Sequence, residues 1–272
     1  MSILCDYHVH STFSGDAKGS MKEMIDSAVS KGLKKICFTE HMDKQFPYRP
    51  GEEGMFELNA DSYLYDLLRF KSEYEGIIDI GFGVEVGMQI GALKDNLIFS
   101  RSHEFDFILA SIHVVDGFDP YYPEYFEGKT EEEAYGRYFE TIYENIARFD
   151  NYDVLAHLDY IVRYGADKDK NYKYEIYKET IDKILKHIIE HEKGLELNTA
   201  GLRKGTRDLH PCFDIIKKYK ELGGELVTIG SDAHEPAHVA ADFDKAEEAL
   251  IEAGFKYYCM YENRIAEYKK IG

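Results

Sequence analysis

No run in the sequence approaches the ~20 apolar residues that a membrane span needs. The amino terminus also lacks the basic region, apolar stretch and small-residue cleavage site of a secretory leader. Met1 to Leu4 lead directly into a charged segment that bears histidines, so a cytoplasmic protein is expected. Cysteine is scarce. Cys5, Cys37, Cys212 and Cys259 include no CxxC pair, which argues against a zinc knuckle or a dithiol redox site. Cys5 and Cys37 fall in apolar patterns, where a free thiol behaves as a small buried hydrophobe. Positive charge is in short supply as well, with 33 Lys and Arg against 51 Asp and Glu and a net charge of −18. A field of that sign repels a nucleic-acid backbone, so a protein that grips long DNA or RNA is excluded. A small anionic substrate stays open if its site is locally positive. No repeat, low-complexity tract or linker divides the 272 residues, and 44% hydrophobic content suffices for a full core. One domain over residues 1–272 is expected.

Short apolar or β-branched runs recur along the chain, each generally followed by a helical pattern. The spacing predicts strands at Ile3–His8, Lys35–Thr39, Ile78–Val86, Phe105–His113, Asp153–His157, Leu195–Asn198 and Leu226–Gly230, with a weaker one at Lys256–Met260. Strands alternating with helices imply right-handed βαβ units around a parallel sheet, and the length suits an α/β barrel. Ser20-x-x-Glu23 and Thr130-x-x-Glu133 read as capping boxes. Pro211 suits the first turn of a helix that ends at Gly223-Gly224. Two connections are long, Met42 to Ala60 and Val114 to Lys129, and long loops in compact domains tend to be functional.

The histidines are not scattered among these elements. His8 and His10 end the first strand, Glu40 and His41 the second, and Glu85 the third. His113 ends the fourth, His157 and Asp159 the fifth, and Asp232 and His234 the seventh. In β/α barrels the carboxyl ends of the strands meet at one mouth, where active sites are built. Residues i and i+2 of a strand share a face, so His8 and His10 point the same way, as do Asp232 and His234. Any one of these histidines alone is better explained as a satisfied core or surface residue. Six strand ends together are not, because burying so many imidazoles and carboxylates in one place is prohibitive without metals. Mixed His, Asp and Glu ligands without thiolate suit zinc, manganese or iron.

The motifs Asp6-x-His8-x-His10, Thr39-Glu40-His41, His113 with His157, and Asp232-x-His234 resemble the PHP superfamily, of polymerase and histidinol phosphatase type, along essentially the whole chain. Within it, Ser111–Pro120 and Glu196–Lys204 are most similar to the monofunctional histidinol-phosphate phosphatases. The resemblance implies a distorted (β/α)7 barrel, hence seven strands, with three divalent ions (Zn, Mn or Fe) at the carboxyl ends of the strands. It implies one ion held by His8, His10, Glu85 and Asp232, a second by Glu85, His113 and His157, and a third by Asp16, His41 and His234. Asp6, Glu40 and Asp159 are implied to orient the ligand imidazoles. The implied activity is hydrolysis of L-histidinol phosphate to L-histidinol and phosphate through a metal-bridging hydroxide, in histidine biosynthesis. Another phosphomonoester, a nucleotide, a cyclic phosphodiester or a non-catalytic metal-binding module are the alternatives.

Three divalent ions outweigh Asp16, Glu85 and Asp232 even with a hydroxide between them, so the site stays positive inside an acidic protein and matches a phosphate monoester. Asp232 or His234 is the candidate for moving a proton to the leaving alkoxide. Guanidinium binds phosphate oxygens in pairs, which makes Arg203 the first candidate clamp and Arg163 the second. Asn198 either orients substrate or caps a turn. His187-Ile-Ile-Glu190-His191 matches the inverted zinc-protease pattern, but it lies near the end of an amphipathic helix, away from the mouth. Tryptophan is absent while tyrosine reaches 22, and Tyr48, Tyr121, Tyr122 and Tyr125 fall in the long loops as lid candidates.

Overall fold

Apolar runs alternate with amphipathic stretches, and the computed structural model, which describes residues 2–272, resolves that alternation into a parallel barrel. Strands β1 (Cys5–Val9), β2 (Lys35–Met42), β3 (Asp79–Gly87), β4 (Phe107–Ser111), β5 (Val154–Leu155), β6 (Gly194–Asn198) and β7 (Val227–Gly230) pair in sequence order, every pair parallel. A bridge between Val9 and Ala233 brings β7 back to β1. There the His10 N–H donates to the Ala233 carbonyl at 2.9 Å and the Asp232 N–H to the His8 carbonyl at 2.8 Å. The barrel is thus nearly closed, with the expected seven strands. Nearly every strand residue is buried, as a parallel sheet covered by helices requires.

The fifth strand is shorter than the sequence suggests, and carboxylates explain why. Asp153 accepts the Ile108 N–H at 2.7 Å and Glu196 accepts the His157 N–H at 2.9 Å, so side chains replace ladder bonds at both ends. Helices α1 (Met21–Ser30), α2 (Ala60–Glu73), α3 (Leu93–Ser100), α4 (Glu131–Ile146), α5 (Tyr174–Glu190), α6 (Ala200–Lys204), α7 (Phe213–Glu221) and α8 (Phe243–Ala253) lie between or after the strands. Ser20 and Thr130 form the capping boxes read from the sequence, at α1 and α4. Pro211 is a correction. It precedes Cys212, which caps α7, because the Cys212 and Phe213 N–H groups are taken by Asp159 and Asp208 and the helix starts later.

The weak eighth run does not enter the barrel. It forms β8 (Tyr257–Glu262), antiparallel to β9 (Ile265–Lys270). The hairpin lies under the strand starts. Arg264 donates through Nε to both Asp153 oxygens at 2.8 Å, its N–H bonds the Asp106 carbonyl, and Lys35 reaches the Tyr261 carbonyl at 3.0 Å. Lys35, Asp106 and Asp153 sit at or just before the starts of β2, β4 and β5, so the hairpin covers the end of the barrel opposite the mouth. Apolar side chains from strands, helices and hairpin join in one core. All four cysteines are unpaired, and burial pushes the Cys259 thiol up to about 11.

Candidate metal centre

The strand ends converge on Glu85. From β3 its carboxylate projects into the mouth with no exposure, and its two oxygens face different imidazoles. His41 Nδ1 lies 2.9 Å from Oε2, with His8 Nε2 at 3.3 Å and His10 Nε2 at 3.5 Å. On the other side His157 Nε2 is 3.0 Å and His113 Nε2 3.3 Å from Oε1. Asp232 Oδ1 stands 3.7 Å from both His8 and His10. Asp232 adopts φ +53, a left-handed backbone that Asp tolerates better than most residues, and this bend delivers its side chain to the mouth just past β7. Asp16 is 3.1 Å from His234 and 3.8 Å from His41.

All nine side chains therefore meet at one place. Four sets of three have donor atoms within 4.8 Å of one another: His8, His10 and Asp232; His8, Glu85 and His157; His41, Glu85 and His113; His10, His41 and His234. The first lies within one of the implied ligand groups, while the others cross between groups, as shared ligands of closely spaced ions would. The fit to metal rests on unmet bonding. His8 Nε2 and His10 Nε2 are buried without a hydrogen bond, and His41 Nδ1 and Glu85 Oε2, although 2.9 Å apart, are not aligned for one; orphaned buried polar atoms are rare and costly. Ionisation states in the cluster are split: burial opposes charge on His8, His41 and His113, but the neighbouring carboxylates outweigh it and push these imidazoles up, so an incoming metal ion would have to displace their protons. Burial opposes ionisation of Glu85, but His8, His113 and His41 outweigh it and hold its carboxyl well below the usual range. Burial, with His41 and His234 nearby, keeps His10 neutral, the form that binds metal.

The ring planes of the candidate ligands are held by residues that the sequence reading did not choose. His8 Nδ1 meets Glu196 Oε1 at 2.6 Å, and His113 Nδ1 meets Asp43 Oδ1 at 2.8 Å. Both carboxylates are buried, and glycine makes room for each: a side chain at Gly230 would strike Glu196 and His8, and one at Gly87 would strike Asp43. Of the three carboxylates implied for this task, Glu40 acts at one remove. It accepts from the Ser14 hydroxyl at 2.6 Å, which contacts His10 Nδ1 at 3.2 Å. The other two are corrections. Asp6 takes the Ser231 and Ala240 N–H groups and the Ser231 hydroxyl, holding backbone together. Asp159 binds His210 Nδ1 at 2.6 Å, and His210 is not among the expected ligands.

Above the nine side chains opens a cavity of about 660 Å³. Arg163 lines it, buried, with its guanidinium carbon 4.3 Å from the Tyr160 ring centre and Nη2 3.6 Å from Asp232. Its Nε and Nη2 are buried and make no hydrogen bond, which leaves bonding capacity unmet at the cavity wall. Arg203 lines the cavity too but is engaged. It bonds the Ser231 carbonyl and Thr199, and lies 3.6 Å from Asp242. The geometry thus ranks Arg163 first, reversing the order drawn from sequence. Asn198 is fully buried behind the site, donating to Glu196 and accepting the Ala200 N–H, so it caps a turn and does not line the cavity. His187 and His191 lie on α5 and at its end, bonded to the Ile146 and His187 carbonyls. Among the lid tyrosines, Tyr121 and Tyr122 line the cavity, whereas Tyr125 is buried beneath its loop and Tyr48 packs on Phe46 and Phe56.

Comparison with known proteins adds an independent line. The PHP domain family model matches residues 6–200. The histidinol-phosphatase of Lactococcus lactis subsp. lactis is 34% identical over 92% of this chain and 91% of its own. The probable histidinol-phosphatase of Clostridium acetobutylicum is 34% identical over 98% of this chain and 100% of its own. In three dimensions, the crystal structure of the Lactococcus lactis histidinol phosphate phosphatase complexed with zinc, L-histidinol and phosphate superposes with a TM-score of 0.89 at 31% identity, covering 97% of this chain and 99% of that one.

Proposed function

The chain belongs to the PHP domain family, and from that premise we propose that it is a histidinol-phosphatase, a metal-dependent phosphomonoester hydrolase that releases phosphate from L-histidinol phosphate. One observation carries the reading: nine converging His, Asp and Glu side chains, with orphaned donor atoms, open into a cavity beside an arginine whose Nε and Nη2 make no hydrogen bond. His8, His10, Asp16, His41, Glu85, His113, His157, Asp232 and His234 would hold up to three divalent ions, with zinc the species in the Lactococcus complex. Such ions, when bound, supply positive charge to phosphoryl oxygens and lower the pKa of water to about 7.

The chain's own residues do the rest. Arg163, whose buried Nε and Nη2 have unmet bonding capacity, is the proposed contact to the phosphate oxygens, its plane held against Tyr160. Glu196 and Asp43 fix the ring planes of His8 and His113 so that the cluster is preorganised. Asp232 is assigned the proton. Burial disfavours its charge, but His8, His234 and Arg163 outweigh that and keep it ionised; as a weak base it would relay the proton from the attacking water to the leaving alkoxide without storing it. His234, beside it at 3.5 Å, is the second candidate. A small-molecule substrate suits the cavity and the acidic exterior, and nucleic acid does not. No helix among the described residues is long and apolar enough to cross a membrane. Unpaired, mostly buried thiols agree with a cytoplasmic place in histidine biosynthesis.

Phosphate release from L-histidinol phosphate by metal-loaded protein, beside nucleotides and sugar phosphates, tests the reading. A strong preference for histidinol phosphate supports it. Even activity across the panel, or a maximum on a nucleotide, leaves a phosphoesterase and removes the substrate assignment.

A further inference from the structure

Basic side chains line only part of the barrel mouth. Lys18 follows β1, and Arg203 and Lys204 follow β6, so three basic side chains line the cavity from the β6–β7–β1 side, where Asp16, Asp232 and Glu235 balance them. The loops after β2 and β4 supply the opposite wall, with Glu52, Asp119, Phe56, Tyr121 and Tyr122 and no lysine or arginine. A phosphate held by the metal ligands and Arg163 would turn its ester group toward that acidic, aromatic wall.

Asp119 is the group on that wall with bonding capacity to spare. Its Oδ1 accepts the Tyr121 N–H at 2.8 Å, and no lysine, arginine or histidine among the described residues pairs with it. Glu52, by contrast, is engaged by the Tyr122 hydroxyl at 3.0 Å. The two loops are latched together around Asp119. Arg49 stacks 3.4 Å over the Tyr122 ring and reaches Glu124 at 2.5 Å, which ties its charge to the latch and away from Asp119. An isolated, half-buried carboxylate in a substrate cavity is a receptor for a cation, and aromatic rings nearby strengthen that preference.

We propose that Asp119 receives the substrate's primary ammonium group, and that the Arg49–Tyr122–Glu52–Glu124 latch positions it. The assignment rests on the histidinol-phosphate reading and adds to it a specificity residue: the enzyme selects phosphomonoesters with a cationic amine beside the ester carbon. Burial pushes the Asp119 carboxyl up to about 6, in keeping with a carboxylate that awaits a counter-ion.

The test compares L-histidinol phosphate with its desamino analogue, 3-(imidazol-4-yl)propyl phosphate, on zinc-loaded wild type, Asp119→Asn and Asp119→Glu. Wild type should prefer the amine by about tenfold to a hundredfold in kcat/KM, the range of a charge-assisted hydrogen bond. Asp119→Asn retains an acceptor for Tyr121 and should bring the ratio near one, chiefly through KM, while Asp119→Glu should restore part of it. A wild-type ratio in Asp119→Asn, or equal losses on both substrates, overturns the assignment. So does a wild-type ratio of one, even where histidinol phosphate remains the best of the phosphomonoester panel and the proposed function stands. Failure of wild type to favour histidinol phosphate over unrelated phosphomonoesters overturns both.

Discussion

Replacing Glu196 tests whether the carboxylate behind His8 helps to hold the metals. Both groups are essentially unexposed, and the contact between His8 Nδ1 and Glu196 Oε1 is 2.6 Å. A hydrogen bond to a charged partner contributes about 1.5–3 kcal/mol. Loss of a carboxylate behind a metal-bound histidine weakens metal affinity by about 10–100-fold. Glu196→Gln retains an acceptor toward His8 but turns an amide toward the His157 N–H that Glu196 now accepts, so it should sit near the tenfold end, about 1.4 kcal/mol. Glu196→Ala removes both bonds and should approach a hundredfold. The assay is zinc bound at equilibrium against chelator-buffered free zinc, with circular dichroism showing that each variant is folded. A folded Glu196→Ala protein with wild-type zinc affinity would refute the orienting role. His8→Ala combined with Glu196→Ala should cost no more than His8→Ala alone, since the carboxylate then has no ring to orient.

Arg163→Met should lower kcat/KM on histidinol phosphate by about a hundredfold and weaken inhibition by inorganic phosphate, because two free donors are lost together; unchanged phosphate inhibition would count against it. Arg203→Ala should act more on the thermal midpoint than on phosphate inhibition, since its guanidinium ties Thr199 to Ser231, and the reverse pattern would restore it as the clamp. Arg264→Ala leaves the buried Asp153 without the guanidinium that donates through Nε to both its oxygens and should lower unfolding free energy in urea by about 2–3 kcal/mol, while the folded fraction keeps its turnover. Asp119 titrates near 6 and is charged above that value, so the preference for histidinol phosphate over its desamino analogue should be present at pH 8 and fall as pH drops through 6. Taking the ratio of the two substrates cancels ionisation of the phosphate, and a pH-independent ratio would contradict the prediction.

Much of the site was legible because strand ends are the part of a barrel that sequence marks best. His8 and His10, or Asp232 and His234, sit at i and i+2 beside apolar runs, and a period of two places them on one face. The orienting carboxylates were harder to see, since their roles depend on which neighbouring ring comes within reach. Signals did exist. Asp43 stands two residues after His41 at the end of β2, and Glu196 is an acidic residue inside the buried pattern Leu195-Glu196-Leu197, which demands a partner in the barrel. Ranking the arginines needed their bonding partners: Arg203 is taken up by backbone carbonyls and Arg163 is left open, and neither fact has a sequence signature. The β8–β9 hairpin was half legible, because β9 reads Ile-Ala-Glu-Tyr-Lys-Lys, mostly exposed, without a strong apolar alternation.

The central claim is that the nine side chains bind metal and that this binding produces the phosphatase. Metal-free protein titrated with zinc or manganese, with bound metal and phosphate release from L-histidinol phosphate followed in the same samples, tests it most directly. The account predicts no turnover in the metal-free state, activity that rises with occupancy, and loss of both metal and activity in His8→Ala and Glu85→Ala. Full turnover by chelator-treated, metal-free protein, or by a Glu85→Ala variant that binds no metal, would contradict it.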